Sequence, residues 1–271
     1  MIPAPFDYVR ADSTDAALAA LGEHGDEAKL MAGGQSLLPL MKLRLAMPAV
    51  VVDVSRASDL AYVRSAGDHI AIGALTRHCD VAADATLAKE LPLLAHVAGT
   101  VGDPQVRHRG TIGGSLAHAD PSADLPTALL ALGASYLLRG PNGEREVAAE
   151  GFSTGFLETV LEPDEMITEI RVPTGLTGWG YEKFTRRAID WATVAVAVAR
   201  RDSGTKVALA NMGPTVLRAQ GVEEALAAGA GAADAAARAD EGTSPGNDVT
   251  ASSDYRKHLA RVLTERALAQ A

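Results

Sequence analysis

Residues 106–126 read VRHRGTIGGSLAHADPSADLP, and the pair Gly113-Gly114 inside them decides how the chain is read. The pair sits in a small/Gly/Gly/polar frame, Thr111-Ile112-Gly113-Gly114-Ser115. An earlier segment, Ala32-Gly33-Gly34-Gln35-Ser36-Leu37, repeats that form. Consecutive glycines reach backbone conformations closed to other residues, so successive N–H groups can line one concavity. Such a nest binds anions, and a phosphate can rest directly on backbone that carries no Cβ. Two nests facing each other suit a diphosphate, with Ser36, Thr111 and Ser115 adding hydroxyl donors. The plain alternative for each pair is a tight turn. No Gly-x-Gly-x-x-Gly follows a strand; the nearest match, Gly229 to Asp234, lacks its third glycine. No Walker loop exists either, so a nucleotide here sits outside both common frameworks.

Outward from the glycines, the first half alternates strand-like and helical segments. The apolar spacing predicts a helix over 14–24, strands over 28–32, 49–54 and 69–74, and a helix from a Thr76 cap to Leu87. A further helix is expected over 92–101. Another spans 125–133, with Pro126 in its first turn and Gly133 at its end. Residues 134–139 and 145–149 read as a hairpin across a turn at 140–144 that contains Asn142-Gly143. Residues 166–172 read as an alternating strand that Pro173 ends, and 174–178 as a linker. Beyond it come strands over 181–185, 192–200 and 205–210, and an Ala-rich helical stretch over 220–240. An amphipathic helix over 255–270 follows, with Leu259, Val262, Leu263 and Leu268 on one face. The expected division is 1–176 and 177–271.

Composition narrows function. The 271 residues are 47% hydrophobic and 22% charged, the balance of a globular chain. No apolar run approaches a membrane span, and the N-terminus lacks the pattern of a signal peptide, so a bacterial cytoplasmic location is expected. The net charge of −9 disfavours nucleic acid. A single cysteine, Cys79, allows no internal disulfide, iron–sulfur cluster or cysteine zinc site; it is read as a buried small hydrophobe. His118, Asp120 and Asp124 are spaced for ligand anchoring rather than for a metal, because Pro121 interrupts them. Asp124 is suited either to capping the next helix or to accepting hydrogen bonds from sugar-like hydroxyls. Trp191 offers a face for a flat ring. Lys183, Arg186 and Arg187 form the densest basic cluster in this acidic chain and suggest an interface. No nucleophile–base arrangement is legible, and neither a catalytic residue nor a metal ligand is expected.

Four segments, AGGQSLLPLMKLR (32–44), VRHRGTIGGSLAHADPSADLP (106–126), LEPDEMITEIRVP (161–173) and YEKFTRRAIDWA (181–192), occur in this order. Together they resemble the FAD-binding medium subunits of molybdenum hydroxylases, most closely those of the aerobic carbon monoxide dehydrogenase type, over essentially the whole chain. The resemblance implies an α+β fold: a PCMH-type, vanillyl-alcohol-oxidase-like FAD-binding domain, then a small C-terminal domain of three antiparallel strands with helices. It implies noncovalent FAD, with Met31 among the residues that bind it and the diphosphate held by Ala32, Gly33, Gly34, Gln35, Ser36 and Leu37 and by Thr111, Ile112, Gly113, Gly114 and Ser115. By the same resemblance Asp124 meets the ribitol and His118 lines the cofactor. Val101 and Ile167 pack near the adenine or flavin, and Lys183 and Trp191 lie beside the isoalloxazine. Gln35 and Trp191 stand where carbon monoxide relatives often carry His and Tyr. The implied partners are an iron–sulfur small subunit with two [2Fe–2S] clusters and a molybdopterin large subunit, assembled as a dimer of heterotrimers. The implied role is electron transfer from those clusters through FAD to an external acceptor. The same role in an N-heterocycle, aldehyde or purine dehydrogenase, or a free-standing flavin oxidoreductase, is the alternative.

Overall fold

The computed structural model describes residues 1–271. The first unit is β1 (Asp7–Arg10), α1 (Thr14–His24), β2 (Ala28–Met31), α2 (Leu37–Lys42) and β3 (Val50–Asp53). Its three strands are parallel in the order β1-β3-β2, and the β-branched run Val50-Val51-Val52 is buried at the centre. Ser13 caps α1 by accepting from the N–H of Ala16, and Gly25 ends it with φ +53°.

The second unit begins with β4 (Val63–Ser65) and β5 (His69–Gly73). The helices α3 (His78–Ala83), α4 (Ala85–Glu90), α5 (Pro92–Thr100), α6 (Pro104–Arg107), α7 (Ile112–His118) and α8 (Asp124–Leu132) follow. It closes with β6 (Ser135–Gly140), β7 (Gly143–Ala148), the short pair β8 (Ser153–Gly155) and β9 (Glu158–Thr159), and β10 (Met166–Pro173). The five-stranded sheet runs β4-β5-β10-β6-β7, antiparallel throughout, with Ile170 opposite both Ile72 and Tyr136.

Several expectations are corrected. Thr76 caps no helix: its hydroxyl donates to the Tyr62 carbonyl, and the expected helix divides at Asp84, which caps α4 through the Leu87 N–H. The strand at 166–172 does not alternate, because β10 is central and shielded on both faces, with a bulge between Ile167 and Glu169. Its buried Glu169 is satisfied by Tyr62 Oη at 2.7 Å, Arg64 at 2.6 Å and Arg171 at 2.7 Å. The expected hairpin forms, its turn narrowed to Pro141-Asn142, with Gly143 already paired opposite Gly140. Cys79 is half-buried rather than buried.

The third unit holds β11 (Gly178–Phe184), β12 (Val194–Arg201), β13 (Gly204–Ala210), β14 (Leu217–Arg218), α9 (Gln220–Ala227), α10 (Ala232–Ala236) and α11 (Ser253–Gln270). Its antiparallel sheet has four strands rather than three, in sequential order. The Ala-rich stretch is two helices, broken where Gly229 takes φ +87°. β12 separates two cores by its period of two. Ala195, Ala197 and Ala199 join the core that contains all the apolar residues of α8 except Pro126, whereas Val194, Val196 and Val198 join the core under α11. The alanine face lets α8 lie close, so the second and third units share one continuous apolar core.

Candidate functional site

The two glycine segments meet, but they are built differently. After β2 the chain turns through Ala32 to Ser36, with Gly34 at φ +72°. No backbone N–H from Ala32 to Leu37 donates to another group of the chain. Gly33 is required by close approach: a Cβ there would lie 2.0 Å from the Arg109 carbonyl oxygen and 2.9 Å from Gly110 Cα. Gly110 in turn packs on the His78 ring, where a Cβ would come within 2.8 Å. His78 is buried, and burial pushes its pKa down to about 4, so a neutral ring supports this crossing.

The second segment is not a nest, which corrects the expectation for Ile112, Gly113 and Gly114. It is the first turn of α7, and neither glycine adopts positive φ. Its N–H groups from Ile112 to Ser115 are already spent. Ile112 donates to the Thr76 carbonyl and Gly113 to the Ala74 carbonyl, while Gly114 donates to the capping hydroxyl of Thr111 and Ser115 to the Thr111 carbonyl. Gly113 instead permits contact, since a Cβ would sit 2.6 Å from Ala74 Cβ. Gly114 faces the first segment: a Cβ there would meet the Thr111 hydroxyl at 2.8 Å and Ala32 Cβ at 3.9 Å. Between the segments a concavity is lined by Ala32, Gly33, Ser55, Arg77, Arg109 and Thr111, with Leu75. Arg77 and Arg109 are exposed and pair with no carboxylate. Sequence reasoning missed Ser55, Arg77 and Arg109. The run Arg107-His108-Arg109 in an acidic chain was the available signal for the last.

From α7 the chain passes His118, half-buried at the helix end, to a tight segment in which Asp120 accepts from both the N–H and the hydroxyl of Ser122. Asp124 does not cap α8, because Ala123 holds that position and no side chain accepts from the first N–H groups of the helix. Its carboxylate, 7% exposed, instead accepts from Tyr181 Oη at 2.7 Å and Lys183 Nζ at 2.8 Å. Burial pushes the Asp124 pKa up, while the Lys183 ammonium and the Tyr181 hydroxyl oppose that shift. Tyr181 is likewise pushed well above its ordinary value by burial and by Asp124, so it remains a phenol and a donor. Val101 follows α5 half-buried, with its carbonyl accepting from Arg107 at 3.1 Å. Ile167 lies in the main core at 5% exposure.

The basic cluster dissolves in three dimensions. Lys183 points inward to Asp124, Arg186 donates to the Val249 carbonyl, and Arg187, 81% exposed, pairs with Asp190 at 2.9 Å. Trp191, in the β11–β12 loop, is 58% exposed. The buried Arg256 of α11 fastens the end of that loop by donating to the Thr193 carbonyl and to Asp248.

Residues 4–175 match the family described as FAD binding domain in molybdopterin dehydrogenase, and residues 179–271 match the CO dehydrogenase flavoprotein C-terminal domain. The chain belongs to this family of FAD-binding medium subunits. It is 43% identical to the carbon monoxide dehydrogenase medium chain of Hydrogenophaga pseudoflava, over 99% of this chain and 97% of that one. It is 39% identical to the 6-hydroxypseudooxynicotine dehydrogenase complex subunit alpha of Paenarthrobacter nicotinovorans, over 100% and 96%. A solved carbon monoxide dehydrogenase from Hydrogenophaga pseudoflava superimposes with a TM-score of 0.95 at 42% identity, covering 100% of this chain and 98% of that one. The quinoline 2-oxidoreductase of Pseudomonas putida 86 superimposes at 0.93 with 32% identity, over 100% and 98%. The chain is thus an FAD-binding medium subunit of the carbon monoxide dehydrogenase type of molybdenum hydroxylase, an oxidoreductase component with the α+β fold implied by its motifs. No helix is long and apolar enough to cross a membrane.

Proposed function

We propose that this chain holds one noncovalent FAD with its diphosphate between segments 32–37 and 111–115, and that it serves as the electron-transfer subunit of a molybdenum-containing dehydrogenase. The carrying observation is the row of unpartnered N–H groups from Ala32 to Leu37, opposite the Cβ-free face of Gly114 and beside the unpaired Arg77 and Arg109. An anion with several oxygens fits that set, because free amides and two cations offer what phosphates lack in an acidic chain. Ser55 and Thr111 add hydroxyls on the same wall. Asp124, anchored by Lys183 and Tyr181, has lone pairs left for a ribitol hydroxyl. The exposed face of Trp191 suits the isoalloxazine. When bound, FAD supplies the electron-carrying chemistry; the chain's residues bind it, orient it and set its electrostatics.

The partners in this reading are an iron–sulfur small subunit and a molybdopterin large subunit in the cytoplasm, in a dimer of heterotrimers. The relatives described as a medium chain and as a complex subunit support a multi-subunit setting. The carbon monoxide type is the reading preferred for the whole complex, on the 43% identity over nearly full length. The first segment reads Gly33-Gly34-Gln35-Ser36 and offers no His or Cys for a covalent flavin bond. Acid precipitation of the flavin-loaded chain is therefore expected to release all FAD into the supernatant at one per chain. Yellow colour retained in the pellet, or a chain that takes up no FAD, contradicts the proposal.

A further inference from the structure

Asn211 stands just after β13, outside every motif considered above, yet it joins two parts of the site. Its backbone N–H donates to the Pro121 carbonyl at 2.7 Å, and its side-chain amide donates to the Ala192 carbonyl at 2.8 Å. Pro121 opens the segment that leads to Asp124, and Ala192 directly follows Trp191. One residue thus grips the 118–124 segment with its main chain and the tryptophan loop with its side chain. Its φ of +60° is what allows both at once, and asparagine is among the few residues with a Cβ that take this conformation readily. A second grip lies nearby, where Tyr181 and Lys183 hold Asp124. With Ala192 buried and Trp191 exposed, the amide of Asn211 fixes the loop at the point where it leaves the core.

We infer that Asn211 is a positioning residue that locks the Trp191 loop onto the 118–124 segment, and so sets the indole against the flavin. The flavin half of this inference rests on the FAD reading above; the loop half does not. Asn211→Gly keeps the left-handed backbone and the bond to Pro121 but removes the side-chain tie. Asn211→Asp keeps the shape and places an acceptor where a donor is needed.

The test uses the full chain carrying Trp179→Phe, which leaves Trp191 as the sole indole of the two. Three quantities are read in parent, Asn211→Gly and Asn211→Asp: the fluorescence anisotropy of Trp191 without FAD, its quenching on addition of FAD, and the FAD affinity. Both variants should show freer nanosecond motion of Trp191 and about twofold weaker quenching, with FAD affinity held within about twofold. Anisotropy equal to the parent in both variants overturns the inference, as does loss of FAD with unchanged anisotropy. A parent whose Trp191 is not quenched by bound FAD overturns the flavin half alone, and the anisotropy comparison still decides the loop half.

Discussion

The two double-glycine segments share a sequence form and perform different physical work. At 32–37 the chain leaves a strand with Gly34 in the left-handed region and its amides unspent. At 111–115 it enters a helix, with amides spent on Ala74, Thr76 and Thr111, and glycine is present for the space it leaves. One segment contributes donors and the other contributes room. A glycine pair therefore reports that backbone must come close to something, and the surrounding carbonyls decide whether its N–H groups remain available.

The harshest way to break the comparison is Gly33→Val. The new side chain meets the Arg109 carbonyl, backbone that cannot rotate away, so the crossing of the two segments has to open. FAD binding should vanish and the chain should lose about 3 kcal/mol, at the upper end of overpacking costs; thermal melting and flavin content measure both. Next comes the anchor beyond both segments. Lys183→Met leaves the Asp124 carboxylate buried without its cation, a change that typically costs about 3–5 kcal/mol; partial relaxation toward solvent should hold it near 3. Burial already raises the Asp124 pKa above its usual 3.8, so the folded state binds protons more readily than the unfolded state. Stability on that account is present at low pH and falls as pH rises through the window from 3.8 upward. Removing Lys183 extends that window upward, so the variant's deficit in urea unfolding should be larger at pH 8 than at pH 5. A deficit independent of pH contradicts the assignment. Gly114→Val should disturb the fold least. Its Cβ meets mainly the Thr111 hydroxyl, so the loss is about 1 kcal/mol of capping. The C-terminal unit stays folded, yet FAD is lost because the room opposite Ala32 is filled. Unchanged flavin content would reduce the second segment to a helix start.

Much of this was legible in the sequence wherever the signal was local. α1, α5, α8, the β6–β7 hairpin and α11 announce themselves through apolar period, Pro126, Gly133 and the Asn142-Gly143 pair. Where distant partners decide, the letters were insufficient. β10 looks like a half-exposed strand until its neighbours shield both faces, and Glu169 is buried only because Tyr62, Arg64 and Arg171 converge on it. Of the site, both glycine segments and the Asp124–Lys183 positions stood out. That the amides of Ile112 and Gly113 are consumed depends on carbonyls nearly forty residues earlier, and that Lys183 turns inward depends on Asp124. The pairing of Arg77 and Arg109 beside Gly33 requires the crossing that Gly33 itself permits.

The most direct measurement is amide hydrogen exchange on the full chain with and without FAD, read over the two segments separately. The free N–H groups of 32–37 should exchange quickly in the apo protein and become strongly protected when FAD binds. Those of Ile112, Gly113, Gly114 and Ser115 should be protected already, by their bonds within the chain, and change little. FAD-induced protection at 111–115, with 32–37 unchanged, would contradict the division of labour between the two segments.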